Sequence, residues 1–255
     1  MFDPATAIIL VAVGVAAGTL GSMLGVGGGI IMGPVLIFLG LAPAPVAGTS
    51  LFAVTSTSVS STVAYSRQKR IDYKLAIKLA AAAIPGAVLG GFISAGISKP
   101  AFLLYFGILL MAVGAYIIFK SSILKEKERR DISMAQYAAV FAITFGAWII
   151  SSLFGVGGGT IFVPVMLLIH RMTMHTAAPT SQLTLMITSF AGLFTHIALG
   201  HIDYAYAIAL SAGAVVGAQL GAKWSKSIKS QMLQRVLGVV LIAIAIKFII
   251  DWLFG

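Results

Sequence analysis

Two stretches of this 255-residue chain, Ala101 to Phe119 and Tyr204 to Ala222, each run for 19 residues without a charged side chain. A helix needs about 20 apolar residues to cross roughly 30 Å of bilayer hydrocarbon, so runs of this length read as membrane spans. Further apolar runs fill most of the remaining chain. Only 9% of residues are charged and 59% are hydrophobic, whereas a soluble domain carries about 25% charged residues. The expected class is an all-α polytopic membrane protein. Ala5 to Leu24 reads as a retained first span, because Phe2-Asp3-Pro4 ahead of it supplies no basic n-region. The chain has no cysteine, so disulfides, thiol chemistry and Cys-ligated metals are excluded. The placement of the net charge of +10 points to membrane topology and not to nucleic acid.

Within this apolar background one motif occurs twice. LGVGGGIIMGPVLI spans Leu24 to Ile37 and FGVGGGTIFVPVML spans Phe154 to Leu167, with eight of fourteen positions identical at an offset of 130. At an offset of 131, Thr49-Ser50 matches Thr180-Ser181, Ile71-Asp72-Tyr73 matches Ile202-Asp203-Tyr204, and Leu89-Gly90 matches Leu220-Gly221. The chain therefore reads as a duplication: a first transmembrane repeat over 1–120, a charged cytoplasmic linker over 121–133, and a second repeat over 134–255. Apolar segments fall near 5–24, 30–40, 45–65, 75–97 and 101–119, then near 134–154, 160–169, 177–200, 204–222 and 232–254. The expected fold is thus two inverted repeats, each of four long transmembrane helices plus one short Gly-broken half-helix. Counting the short segments as crossings puts 15 of the 17 basic residues on one side; leaving them out divides the residues 11 against 6. The positive-inside rule favours the first arrangement.

Irregular backbone survives at membrane depth only where protein buries it or water reaches it. Glycine permits the dihedrals of such a break and lets a ligand approach the main chain. Short helices are expected to start at Ile30 and Thr160, with Pro34 and Pro164 in their first turns, where a missing N–H costs little. The first N–H groups of each helix lack intrahelical partners and sit at its positive dipole end. Two such ends facing each other form an anion site without any charged side chain. The candidate contacts are Gly27, Gly28, Gly29, Gly157, Gly158 and Gly159. Thr49, Ser50, Thr180, Ser181 and Gln182 are expected to start the next spans and to aim oxygen and N–H groups at the same place. The plainer account, in which hydroxyls bond back to a helix backbone and glycines serve close packing, is preferred for Ser60, Ser61 and Thr62. It is also preferred for Gly14, Gly18, Gly86, Gly90, Gly107, Gly217, Gly221 and Gly238.

The doubled GVGGG followed by proline, the Thr-Ser pair and the two-half layout resemble the TauE/SafE sulfite-exporter-like permeases over essentially the whole chain. The resemblance implies a transporter of small sulfur-containing anions, such as sulfite or organosulfonates. The halves differ at Gly48-Thr49-Ser50-Leu51 against Pro179-Thr180-Ser181-Gln182, so the two faces of the site are not chemically equivalent.

The resulting expectation is a secondary transporter in the inner membrane, working by alternating access on a small anionic substrate, with the lipid bilayer as its surroundings. An anion channel, or a permease for another small anion or organic acid, stays open as the alternative. Neither a His-Glu-x-x-His run nor a convincing Ser–His pair is present, so an enzyme is not expected. No cofactor, metal or nucleic acid is called for. A coupling ion, proton or sodium, and a homo-oligomer are left open, as is a part for His196 in proton coupling. Gln219 is expected to bond a neighbouring helix, Lys247 and Asp251 to pair at an interface, and Trp148, Trp224 and Trp252 to pack or sit at interfaces.

Overall fold

The computed structural model describes residues 3–120, 134–170, 172–227 and 230–254; the linker 121–133 and Arg171 lie outside the described residues. The described residues form α1 (Pro4–Leu24), α2 (Gly29–Phe38), α3 (Pro43–Arg67), α4 (Tyr73–Ser94) and α5 (Lys99–Lys120). They continue as α6 (Met134–Phe154), α7 (Gly159–Leu168), α8 (Met174–Ala198), α9 (Tyr204–Trp224) and α10 (Ser230–Phe254). Local chemistry sets several ends. The carboxylates of Asp3, Asp72 and Asp203 accept from N–H groups in the first turns of α1, α4 and α9, which is N-capping. Asp203→Ala is expected to cost about 1 kcal/mol, read as a drop of about 2–4 °C in melting temperature.

The expected span count needs correction. Among the described residues four helices are long and apolar enough to cross a membrane: α1, α4, α9 and the Lys99–Tyr116 part of α5. The expected two sets of four long transmembrane helices are therefore not found among the described residues. The physical reason is plain in α3 and α8. Both are 25 residues long, but their hydroxyls and Gln182 make them too polar to qualify. The apolar part of α6, Val140–Phe154, is too short. The count of basic residues per side rested on those crossings and falls with them. What remains is an all-α, multi-helix membrane protein.

Packing follows the small residues. α1 runs along α9, α4 along α6 and α5 along α10, while α3 and α8 lie against each other and also touch α9 and α4. In the α1/α9 seam a Cβ on Gly14 would fall on the Leu210 carbonyl, and one on Gly217 would fall on that of Val15. Gly18, Gly86, Gly90, Gly107, Gly221 and Gly238 likewise meet neighbouring helices, as the packing account expects. Gln219 donates to the Ser60 carbonyl at 2.7 Å, and Lys247 pairs with Asp251 at 3.0 Å. Phe102, Phe106, Phe154 and Phe248 join α5, α6 and α10 in one core, with Phe106 stacked on Phe154 at 5.0 Å.

Candidate functional site

α1 ends at Gly25, in the left-handed conformation (φ 74°), and Gly27 and Gly28 follow at φ 83° and 87° before α2 begins. Gly155 and Gly157 repeat this at φ 68° and 81° ahead of α7. Side chains rarely adopt these dihedrals, so the break needs glycine there. Both helices begin one residue earlier than expected, at Gly29 and Gly159. Pro34 and Pro164 are the sixth residues, inside the helices and not in their first turns. Each therefore removes a ladder bond from a helix only ten residues long.

The two breaks lie against each other. A Cβ on Gly29 would land on the carbonyls of Gly155 and Val156, and one on Gly159 on the Gly25 carbonyl and the Val26 Cα. Val54 and Leu185 cover the contact: a Cβ on Gly27 would approach them to 3.0 and 3.3 Å, and one on Gly157 to 3.0 and 3.6 Å. These two residues are themselves related by the 131 offset. A search for polar residues passes over them; the offset is the signal that finds them.

Thr49, Ser50, Thr180, Ser181 and Gln182 are all fully buried; Ser50, Ser181 and Gln182 reach the backbone at and just ahead of the breaks, whereas Thr49 and Thr180 reach the starts of α9 and α4. Their polar atoms, however, serve the protein's own backbone. Ser50 Oγ donates to the Gly155 carbonyl at 2.8 Å, and Ser181 Oγ donates to the Gly25 carbonyl at 2.6 Å. Each hydroxyl thus holds the break belonging to the other half of the chain. Thr49 Oγ1 accepts from the Asp203 N–H at 3.0 Å, and Thr180 Oγ1 accepts from that of Asp72 at the same distance. These threonines are the seventh residues of α3 and α8, so they are not helix-starting groups as expected. Gln182 donates to the Gly21 carbonyl at 2.7 Å and accepts from Ser61 Oγ at 2.9 Å. Among the described residues one amide hydrogen of Gln182 has no partner. Most other hydroxyls of α3 and α8, including Thr55, Thr57, Ser58 and Thr188, bond back to their own helix.

The carbonyls just ahead of the breaks are held differently. Tyr65 donates from its hydroxyl to the Ser22 carbonyl at 3.0 Å, under the Arg70 guanidinium, which lies 5.3 Å from its ring centre. Arg70 also donates to the His175 carbonyl at 2.9 Å. At the 131-related positions stand His196 and His201. His196 Nε2 lies 3.1 Å from the Ser152 carbonyl, which can only accept, so this nitrogen carries the hydrogen. In the neutral ring Nδ1 then accepts, and His201 Nδ1–H donates to it across 3.3 Å.

His201 sits in the loop between α8 and α9, and desolvation holds its pKa below the ordinary histidine value. α4 offers Gly91 and α6 the Ser152 carbonyl to His196, α3 packs Gly48 against the His201 main chain, and Asp203 turns its carboxylate to α9. The unfolded chain therefore binds the His201 proton more readily, and stability falls as pH drops below about 6.5. Melting between pH 7.5 and 5 is expected to show this loss, reduced in His201→Gln. Equal slopes in both proteins would refute it.

A bundle of apolar helices around two broken, closely apposed segments is the build of a polytopic membrane transporter. The chain matches the family described as "Sulfite exporter TauE/SafE" over residues 10–248 and belongs to that family. It is a transporter of small anions and not an enzyme. It is 30% identical over 270 residues to the "Probable membrane transporter protein YunE" of Bacillus subtilis, covering 97% of this chain and 99% of that one. It is 28% identical to the "Probable membrane transporter protein MJ0441" of Methanocaldococcus jannaschii, covering 91% and 92% of the two chains. A "Probable membrane transporter protein" of Xylella fastidiosa is also 28% identical, covering 93% and 91%. No solved structure matches the chain.

Proposed function

We propose that this chain is a secondary transporter of the inner membrane that carries sulfite or a short organosulfonate by alternating access. The observation that carries the reading is the meeting of the two glycine breaks, which brings the starts of α2 and α7 together in the buried interior. Helix N-termini favour anions through unpartnered N–H groups and the positive dipole end. The substrate is held by main-chain N–H groups at Gly28, Gly29 and Gly157 to Gly159, with the spare amide hydrogen of Gln182 beside them, while the Gly27 N–H donates to the Gly21 carbonyl at 3.2 Å and so serves the break itself. Thr49, Ser50, Thr180 and Ser181 shape the site by fixing the breaks and the neighbouring helix starts.

The breaks touch in the conformation described, so an anion enters only when they part. Movement of the α1/α9 pair against the α4/α6 pair, with α3 and α8 between them, opens the site to one side at a time. The test is thermal stabilisation of purified protein by fresh sulfite and short sulfonates, with chloride, sulfate and acetate as controls. Stabilisation by a sulfur oxyanion alone supports the reading, and none with any oxyanion overturns the substrate. Counter-flow of labelled sulfite in proteoliposomes then separates a carrier from a channel, which shows no trans-acceleration.

A further inference from the structure

Trp148 is fully buried in α6, and its Nε1–H has no hydrogen-bond partner among the described residues. Its position is not neutral. A Cβ built on Gly158, the N-cap of α7, would meet Nε1, with Cε2 at 2.6 Å and Cδ1 at 3.0 Å. The indole thus turns its N–H edge onto the start of α7, while its ring lies 6.0 Å from that of Phe162 in the same helix. An indole N–H only donates, and a buried donor without an acceptor costs about 1–3 kcal/mol. The N–H groups that open α7 are donors without intrahelical acceptors as well. A side-chain donor and a helix end thus meet at Gly158, and among the described residues nothing accepts from the indole N–H. The missing partner is therefore a group that accepts.

The first break lacks this feature. A Cβ on Gly28 would meet the Ala17 carbonyl and the Met32 methyl, so an acceptor and an apolar group stand there. At the 130 offset the residue matching Trp148 is Gly18, which is spent on packing against Ala214. We infer that Trp148 is a substrate-binding residue: its Nε1–H and the start of α7 bind an oxygen of the anion, which gives the second break's face of the site a side-chain donor that the first face lacks. This rests on the anion-transport reading above and names its side-chain donor.

Trp148→Phe keeps an aromatic ring and removes the N–H. Labelled sulfite uptake into proteoliposomes is expected to show a KM about 10- to 100-fold higher, the effect of losing a hydrogen bond to a charged group, while Trp224→Phe stays at the wild-type value. In protein carrying Trp224→Phe and Trp252→Phe, Trp148 is the sole tryptophan, and its emission is expected to shift as sulfite is added. This second readout stands if Trp148→Phe does not fold. An unchanged KM in folded Trp148→Phe, or sulfite binding without any emission change, overturns the inference and leaves the transport reading intact. If the wild-type protein neither binds nor carries any oxyanion tested, the transport reading fails and the inference goes with it.

Discussion

Gly159→Val is expected to abolish transport and lower the melting temperature, while Gly146→Ala does neither. The first side atom added at Gly159 would fall on the Gly25 carbonyl and the Val26 Cα. These are main-chain atoms of the other break, which cannot swing aside as a flexible side chain does. Overpacking a core ordinarily costs about 1–3 kcal/mol, and a side-chain atom forced onto backbone belongs at the upper end or beyond. That is a large part of the 5–15 kcal/mol typical of a folded protein. Gly146 is the control, because a Cβ there meets nothing within 4 Å. Alanine at this position in α6 should instead stabilise by about 0.5–1 kcal/mol. Uptake in proteoliposomes and melting of the purified proteins give both readouts. Wild-type uptake by Gly159→Val would show that the contact between the breaks is dispensable.

The second large effect is expected from the paired hydroxyls. Removing Ser50 Oγ or Ser181 Oγ leaves a buried carbonyl, that of Gly155 or Gly25, without the donor it has in the intact protein. Each loss costs about 1–3 kcal/mol. The two bonds flank one contact, so Ser50→Ala and Ser181→Ala are expected to be non-additive in a double-mutant cycle. Once the first bond is gone the breaks loosen, and the second hydroxyl has less to hold. Thermal unfolding of the wild type, both single variants and the double variant measures this. Strict additivity would mean that each break is held in place independently of the other.

Much of this architecture was legible in the residues. The doubled glycine cluster locates both breaks, and the change from glycine to apolar residues marks the start of each following helix to within one residue. The packing glycines were legible too, because a smooth apolar face with a glycine every fourth residue has few other uses. The number of long apolar helices was not. In α3 and α8 the hydroxyl content counts against a span by composition, and length alone cannot offset it. The direction of each hydroxyl was hidden for another reason. Ser50 finds its acceptor 105 residues away and Ser181 finds its own 156 residues away. Local pattern holds no record of such distances. By sequence Trp148 is one of three packing or interfacial tryptophans, because nothing in its neighbours announces that its N–H edge meets the start of α7.

The reach of Ser181 also has a meaning in time. Chains emerge from the ribosome at about 5–20 residues per second. Gly25, whose carbonyl Ser181 holds, is made 156 residues earlier, so on the order of ten seconds separates the two at that pace. During that interval the first break sits in a growing bundle with its polar backbone unserved by the partner it has in the finished protein. A first half produced alone would remain in that condition, so it is expected to be a target for quality-control proteolysis until the second half is supplied.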